Sequence, residues 1–366
     1  MSDLFSTRRD RARRALRSAD IDLLLLGPGP GFRYFAGKNA IATERFVALA
    51  IGADGRDRIF TPRLQAPLYA GIAGVDIAIW DEAENPLEHV ALVAQEAAAR
   101  TVAVNPEFWS GFLLALKALL PDIALRSGAS VIDGQRRTKG AEEIAALEAA
   151  AARIDAVWAR FCATTPSMLG RTELELRADI DRLMRQEGFS EVSWVDVGAG
   201  ANGASPLHHG SDHVIRAGEP VVFDFAGCFD GYYGDICRVA VSGEPSPEFQ
   251  AIYDIVHDAQ EAAFRAVRPG VPAEEIDAIA RRIISDKGFG SYFTHRLGHG
   301  IGLAAHEEPY IVAGNATPLA AGMVFSNEPG IYIPERWGVR IEDIVVVTDD
   351  GARRLTQSPR HLVRLG

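Results

Sequence analysis

The stretch VVFDFAGCFDGYYGDICR, residues 221–238, places two carboxylates on a pattern that predicts a β-hairpin. Asp224 and Asp235 lie eleven residues apart, on either side of a turn expected in CFDG, residues 228–231. If the strands pair about a midpoint between Phe229 and Asp230, the two acids face each other on one side of the sheet. Like charges at such cross-strand positions repel, since their Cβ atoms are about 5 Å apart. A cation between them would reverse the sign of that energy, so the hairpin indicates a metal site.

A second acidic hairpin follows near the end of the chain, in FSNEPGIY (325–332) and VRIEDIVVV (339–347). Glu328 and Glu342 lie fourteen residues apart about Glu335, so the same construction places them face to face. Unpaired buried carboxylates are costly, and cations are the natural reason to gather them. Two acidic pairs converging on one pocket would supply hard oxygen ligands for two divalent ions.

Two arginines offer another explanation for the acids. Arg238 and Arg340 each lie near an acid in the sequence and could neutralise it as a structural salt bridge. Two cations do not balance four acids and the neighbouring Asp343, so we favour the metal interpretation.

The segment HRLGHGIGLAAHEEP, residues 295–309, adds imidazoles. His299 is the best candidate ligand because it lies among glycines, which allow backbone and ligand to approach closely. His295 and His306 flank it and are suited to contact a substrate carbonyl or a developing oxyanion. The earlier loop GANGASPLHHGSD (200–212) offers His208 or His209 at the pocket mouth. We favour His208, although the sequence does not decide between these neighbours.

Composition restricts the class of protein. A formal net charge of −11 argues against a protein that holds nucleic acid by neutralising phosphates, and against a basic membrane surface. The apolar run IDLLLL (21–26) ends at GPGPG and is too short for a membrane span or a secretory signal. Three cysteines give no disulfide framework, which favours a cytoplasmic protein. We expect the arginine-rich helix 4–18 to present a solvated face rather than to bind anionic lipid.

The order of predicted elements indicates two domains. Residues 1–135 alternate helices with strands at 21–26, 45–52 and 57–62, which predicts a smaller α/β domain. Residues 136–366 begin with a long Ala/Glu-rich helix and group helices apart from strand-like runs, which predicts an α+β domain with a mainly antiparallel sheet. Its predicted helices are 172–187, 247–267 and 273–287, and its predicted strands are 190–199, 220–226, 234–242, 323–328 and 338–348.

With these segments in this order, residues from roughly 140 to 366 resemble the pita-bread metallopeptidases. That family includes methionine aminopeptidases, aminopeptidase P and Xaa-Pro dipeptidase (prolidase). Residues 1–135 resemble the creatinase-type N-terminal domain of the proline-specific members, which disfavours a simple methionine aminopeptidase. The resemblance implies a pita-bread catalytic domain with a curved, mainly antiparallel sheet.

The resemblance also implies a position for each metal ligand. Asp224 matches the terminal bidentate ligand, Asp235 and Glu342 match the two bridging carboxylates, and His299 and Glu328 match the ligands of the other metal. Oxygen-rich ligation with one imidazole favours Mn²⁺, although Co²⁺ or Zn²⁺ would also suit it.

The catalytic residues implied by the resemblance are Glu328, His306, His295, His208 and Arg340. Glu328 would exchange protons with the attacking water and the leaving nitrogen, while His306 would stabilise the oxyanion. His295 and His208 would position the substrate, and Arg340 matches the arginine two residues before the last ligand. Two departures are Asn327, where an apolar residue is usual, and Cys237, where Thr is common.

The expected function is hydrolysis of Xaa-Pro bonds in dipeptides by water activated by two metal ions. The resemblance further implies that the protein forms a homodimer. Its expected substrate is a small peptide with proline in second position. An aminopeptidase P acting on longer peptides shares every residue named here. The sequence is also compatible with an enzyme that hydrolyses a small non-peptide amide, and with a non-catalytic binding module that has lost its metals.

Overall fold

A computed structural model describes residues 4–365. The chain divides into two compact units, one ending at Arg136 and the other beginning at Arg137. The predicted boundary, between residues 135 and 136, lies next to this division. Among the described residues, no helix combines the length and apolar character needed to cross a bilayer.

The first unit consists of helices around one mixed six-stranded sheet. Its helices are α1 (Leu4–Ser18), α2 (Pro30–Ala36), α3 (Pro86–Glu96), α4 (Ser110–Leu119) and α5 (Ala129–Arg136). Its strands are β1 (Leu23–Leu26), β2 (Ala48–Gly52), β3 (Asp57–Pro62), β4 (Asp76–Trp80), β5 (Thr101–Val104) and β6 (Ala124–Ser127). The strand order is β4-β3-β2-β1-β5-β6. Because β1 is central, all four of its leucines are buried, which explains the unbroken apolar run.

The basic helix α1 has a solvated face, on which Arg11, Arg14 and Arg17 are exposed, and a buried face that contains Arg9. Arg9 is only 1% exposed and donates from Nε to Asp57 Oδ2 at 2.8 Å and from Nη1 to the Phe35 carbonyl at 2.8 Å. Arg13 reaches the other oxygen of Asp57 at 2.7 Å. This buried face was not predicted, because Asp57, which lies beneath the helix and compensates the buried guanidinium, is distant in sequence.

The second unit carries the acidic hairpins. Its helices are α6 (Ala141–Thr164), α7 (Glu173–Gln186), α8 (Pro247–Ala266) and α9 (Ala273–Asp286). Its strands are β7 (Glu191–Ala199), β8 (Pro220–Phe229), β9 (Tyr232–Val241), β10 (Gly298–Gly300), β11 (Glu307–Ile311), β12 (Val324–Asn327), β13 (Gly330–Ile333), β14 (Trp337–Arg340), β15 (Asp343–Val347), β16 (Ala352–Arg354) and β17 (Val363–Arg364). The predicted α+β class is confirmed, and the strands pair antiparallel except β17 with β9.

The strands of this unit form three sheets rather than one. Their orders are β17-β9-β8-β7, β11-β10-β12-β15-β16 and β13-β14. The predicted single strand 338–348 is therefore wrong. It breaks at Ile341 and Glu342, where the chain leaves β14 and enters β15 in another sheet.

The register of the first hairpin also differs from the prediction. Phe229 pairs with Tyr232, so the two-residue turn is Asp230-Gly231, with φ of 47° and 87°. Positive φ at both positions is the geometry that Asp-Gly favours in tight hairpins. The midpoint therefore lies one residue later than predicted, and Asp224 pairs with Cys237 instead of Asp235. The residue opposite Asp224 is thus two positions away from Asp235. Because side chains alternate faces along a strand, Asp224 and Asp235 remain on the same face of the sheet, as diagonal neighbours.

The predicted register of the second hairpin is confirmed. Gly330 pairs with Arg340 and Asn327 pairs with Asp343, which are the pairings expected for a turn centred on Glu335. An isolated bridge between Cys237 and Glu342 then joins this hairpin to β9. That bridge brings the two acidic pairs together.

Candidate metal centre

The predicted ligands line one cavity of about 680 Å³ in the second unit. The cavity also receives most of the predicted catalytic side chains. Its lining residues are Ser193, Trp194, Asp196, Ser205, Pro206, Leu207, His209, Asp224, Asp235, His295, Arg296, His299, His306, Glu328, Arg340 and Glu342.

Strand pairing explains how the acids meet. Asp224 on β8 pairs with Cys237 on β9, and the Glu342 backbone N–H donates to the Cys237 carbonyl at 3.1 Å. Asp235 lies on the same face of β9, two pairs further along. Carboxylates from three separate segments are thereby gathered within neighbouring rows of one surface.

Asp235, His299 and Glu342 form the tightest group. One ligand atom from each lies within 4.8 Å of the others, and each residue is at most 4% exposed. Asp235 Oδ1 and Glu342 Oε1 are buried with no hydrogen-bond partner among the described residues. Burial raises the pKa of Asp235, as do the charges of Asp224 and Glu328; burial likewise raises the pKa of Glu342, as does the charge of Asp235.

His299 is held so that one ring nitrogen faces the acids. Its backbone N–H donates to Ser326 Oγ at 3.0 Å, and its Nδ1 lies 3.1 Å from the Gly300 carbonyl. Nδ1 is therefore the donor, which leaves Nε2 3.3 Å from Glu328 Oε1 and 3.9 Å from Asp235 Oδ2. Nε2 either carries a proton, which it donates to Glu328, or binds a metal ion held between the imidazole and these carboxylates.

The flanking glycines allow this placement. A Cβ on Gly298 would lie 1.8 Å from the Ser326 carbonyl oxygen, and one on Gly300 would lie 2.3 Å from the Glu308 carbonyl oxygen. Strand β10 therefore fits between its neighbours only without side chains at these two positions, which confirms the predicted close approach of backbone.

Glu328 is positioned by β12 and held ionised. Ser326 Oγ donates to its Oε1 at 2.9 Å, and its backbone N–H donates to the Leu297 carbonyl at 2.9 Å. Burial favours the neutral acid, but the hydrogen bond and charge of His299, with the charge of His295, outweigh it and lower the pKa of Glu328 to about 2.

Arg340 and Trp194 hold the outer acid, Asp224. Arg340 Nε donates to Asp224 Oδ2 at 2.8 Å, and its Nη2 also contacts that oxygen. Trp194 Nε1 donates to Asp224 Oδ1 at 2.6 Å. Oδ1 accepts only the Trp194 hydrogen bond and keeps a further lone pair, so Asp224 can still bind a cation through that oxygen. Arg340 therefore does form a structural salt bridge with Asp224. Arg238 forms its salt bridge with Asp343, at 2.7 Å, and neither arginine pairs with the carboxylate of Asp235 or Glu342.

His295 and His306 approach the cavity from different supports. His295 Nδ1 donates to the Arg296 carbonyl at 2.7 Å, so its Nε2 accepts from the Tyr332 hydroxyl at 2.8 Å. The oxygen of that hydroxyl in turn accepts from Arg340 Nη1 at 2.6 Å. His306 stacks near His299, with ring centroids 4.0 Å apart. Burial, followed by the charge of His299, lowers the pKa of His306 to about 4, and burial lowers that of His295.

The structure does not bring His208 to the cavity. Its Nε2 lies 2.7 Å from the fully buried carboxylate of Glu173, whereas His209 lines the cavity with Nδ1 2.6 Å from Asp196 Oδ1. The choice of His208 over His209 is therefore wrong. Glu173 lies at the start of α7, so no local pattern in the loop could show that it captures His208.

Seven lining residues were not predicted as site residues, namely Ser193, Trp194, Asp196, Ser205, Pro206, Leu207 and Arg296. Trp194 and Asp196 alternate with buried residues on edge strand β7, and Arg296 follows His295 with its guanidinium carbon 4.3 Å from the Tyr310 ring centroid. The pairing of β7 with β8 could have indicated Trp194 and Asp196, since Asp196 pairs with Asp224. Asn327 and Cys237, the two residues that differ from those usual in the family, form structural hydrogen bonds. Asn327 donates to the Gln260 carbonyl and Cys237 donates to the Arg340 carbonyl.

The ligand atoms of this site suit divalent cations. Orphaned oxygens on Asp235 and Glu342, facing an imidazole nitrogen and an ionised Glu328, form an oxygen-rich set with one nitrogen. Hard divalent ions such as Mn²⁺ accept such ligands.

Comparison with known proteins agrees with this chemistry. Residues 145–349 match the model for "Metallopeptidase family M24", and residues 8–138 match "Creatinase/Prolidase N-terminal domain". The chain belongs to metallopeptidase family M24. The expected family, pita-bread fold and enzyme class are thereby confirmed.

Similar M24 proteins cover essentially the whole chain. A protein named probable dipeptidase PepE from Mycobacterium tuberculosis is 40% identical over 99% of this chain and 97% of its own length. The crystal structure of dipeptidase PepE from Mycobacterium ulcerans matches with a TM-score of 0.93 and 42% identity, covering 99% of this chain and 98% of that one. A recombinant prolidase from Thermococcus sibiricus matches with a TM-score of 0.93 and 36% identity over 100% of both chains.

Proposed function

We propose that this M24 enzyme hydrolyses dipeptides with proline in second position, using Asp224, Asp235, His299, Glu328 and Glu342 to hold two divalent ions, Mn²⁺ foremost. The observation that carries this proposal is the pair of orphaned buried oxygens on Asp235 and Glu342. Bound metal would supply an acidified water and a Lewis acid for the carbonyl. The names of the similar dipeptidases and the prolidase support the substrate class.

Glu328 is suited to move protons in this reaction. It is ionised at neutral pH, lies on the cavity wall and is oriented by Ser326. It would take a proton from water and return it to the leaving proline nitrogen, which has no N–H of its own.

The neutral histidines are suited to bind the substrate. Low pKa values keep His306 and His295 uncharged at neutral pH. His306 can therefore donate one N–H without carrying a permanent charge, whereas the N–H of His295 is directed at the Arg296 carbonyl. His306 would stabilise the developing oxyanion, and His295, fixed by Tyr332, would position the peptide. Arg340 would orient Asp224, and His209 replaces His208 at the cavity mouth.

The test is a peptide panel with added Mn²⁺, Co²⁺ or Zn²⁺. We expect Ala-Pro to be cleaved faster than Ala-Pro-Gly, and Glu328→Gln to abolish turnover while the fold is retained. Faster cleavage of the tripeptide would make the enzyme an aminopeptidase P. An active Glu328→Gln variant would refute the proton-transfer role.

We also propose a cytoplasmic homodimer. The three cysteines are free in the structure, as a reducing compartment favours. The dimer follows from the family resemblance, and light scattering on the purified chain tests it.

A further inference from the structure

Asp196 is a buried acid at the cavity wall to which the proposed reaction gives no role. Its side chain is 7% exposed, and its Oδ1 contacts His209 Nδ1 at 2.6 Å. No described residue hydrogen-bonds to its other oxygen. His209 is itself 69% exposed and therefore gives the acid only a solvent-screened partner.

Strand pairing fixes where this acid lies relative to the reacting centre. Asp196 on edge strand β7 pairs with Asp224 on β8, and β9, which carries Asp235, is the next strand. Neighbouring strands are about 4.8 Å apart, so Asp196 lies roughly 9–10 Å across the sheet from the strand of Asp235.

That distance selects the part of a substrate that reaches Asp196. The α-amino nitrogen of a dipeptide is about 2.5 Å from the scissile carbonyl carbon, so a carbonyl held at the group of Asp235, His299 and Glu342 keeps that nitrogen short of β7. A lysine or arginine side chain on the first residue extends about 6 Å beyond its Cα and spans the remaining gap.

Charge determines the direction of the peptide. Asp196 repels the C-terminal carboxylate and attracts the amino-terminal residue, whereas the charge of Asp224 beside it is compensated by Arg340. Arg296 provides a cation elsewhere on the cavity lining for that carboxylate.

We propose that Asp196 is a specificity residue that binds a basic side chain on the first residue of the substrate, so that Lys-Pro and Arg-Pro are preferred. This inference rests on the proposed function. Buried acid, free oxygen and open cavity together form a subsite for an ammonium or guanidinium group, which donates to the oxygen that lacks a protein partner.

The test compares Lys-Pro with norleucyl-proline, which has a similar chain but no charge. We expect wild type to have the higher kcat/KM on Lys-Pro, and this preference to shrink as NaCl rises. Asp196→Asn should lower the Lys-Pro to norleucyl-proline ratio about tenfold, the scale of a lost charge-assisted hydrogen bond. The control Asp181→Asn, on the surface of α7, should leave the ratio unchanged.

Three results would overturn the inference. Wild type could prefer norleucyl-proline, Asp196→Asn could slow both peptides equally, or Asp196→Asn could lose bound metal. If wild type cleaves neither peptide, the proposed function fails separately. Calorimetric binding of the two peptides then decides, because a lysyl preference lost in Asp196→Asn supports the subsite and equal binding removes it.

Discussion

Replacing Arg340 by Met separates metal binding from ordinary salt-bridge packing. Arg340 and Asp224 are 5% and 7% exposed, and the guanidinium binds Asp224 Oδ2 through two nitrogens. Met keeps much of the volume and removes the cation. Leaving a buried charge without its partner costs about 3–5 kcal/mol, so Arg340→Met should lose that much free energy of unfolding in chelator.

Saturating Mn²⁺ should reduce this loss. A divalent ion beside Asp224 replaces the missing positive charge, and only the lost hydrogen bonds remain, at about 1–2 kcal/mol. The assay is urea unfolding followed by circular dichroism, with EDTA or with Mn²⁺.

A matched control lies in the same hairpin. Arg336 pairs with Glu248 at the surface, where the two side chains are 43% and 56% exposed. Arg336→Met should leave the free energy of unfolding nearly unchanged in both buffers, because solvent screens this surface pair. An equal loss for Arg340→Met with and without Mn²⁺ would refute the reasoning, as would a loss in EDTA no larger than that of Arg336→Met.

Three further changes have defined outcomes. Gly298→Ala forces a Cβ to within 1.8 Å of a backbone oxygen. It should lower the free energy of chemical unfolding by about 1–3 kcal/mol and weaken Mn²⁺ binding measured by titration. In the control Gly134→Ala in α5, the new Cβ meets nothing within 4 Å, so this change should be neutral or stabilising. Lys139→Met leaves buried Glu307 without its 2.7 Å partner and should lower unfolding free energy by about 3–5 kcal/mol; an unchanged melting temperature would contradict this. His306→Gln should lower kcat about 10²–10³-fold with metal content retained, and a change confined to KM would exclude oxyanion stabilisation.

Local chemistry explains why much of the site was predictable. Acids on strands with apolar neighbours, a turn centred on Glu335 and glycines around His299 each carry their own signal, and the corresponding register and close approach are confirmed. The Asp-Gly turn at 230–231 was also predictable from the sequence. Asp-Gly prefers positive φ at both positions, and using that preference would have predicted the register of the first hairpin correctly.

Long-range contacts account for what the sequence could not show. The bridge from Cys237 to Glu342 joins segments more than a hundred residues apart and, with the contacts of Arg340 to Asp224 and of Arg238 to Asp343, brings the acidic pairs together. Glu173 at the start of α7 contacts His208 in a distant loop. Asp57, which lies beneath α1, binds Arg9 of that helix. Each of these partners is distant in the chain and has no periodic pattern linking it to its target.

Metal content tests the central claim most directly. Wild type and an Asp235→Asn/Glu342→Gln double variant would be loaded with Mn²⁺, passed through gel filtration and analysed by plasma mass spectrometry, with circular dichroism to verify the fold. The acidic hairpins predict about two ions per wild-type chain and almost none in the folded double variant. Wild-type chains without metal, or a double variant that keeps both ions, would contradict the account.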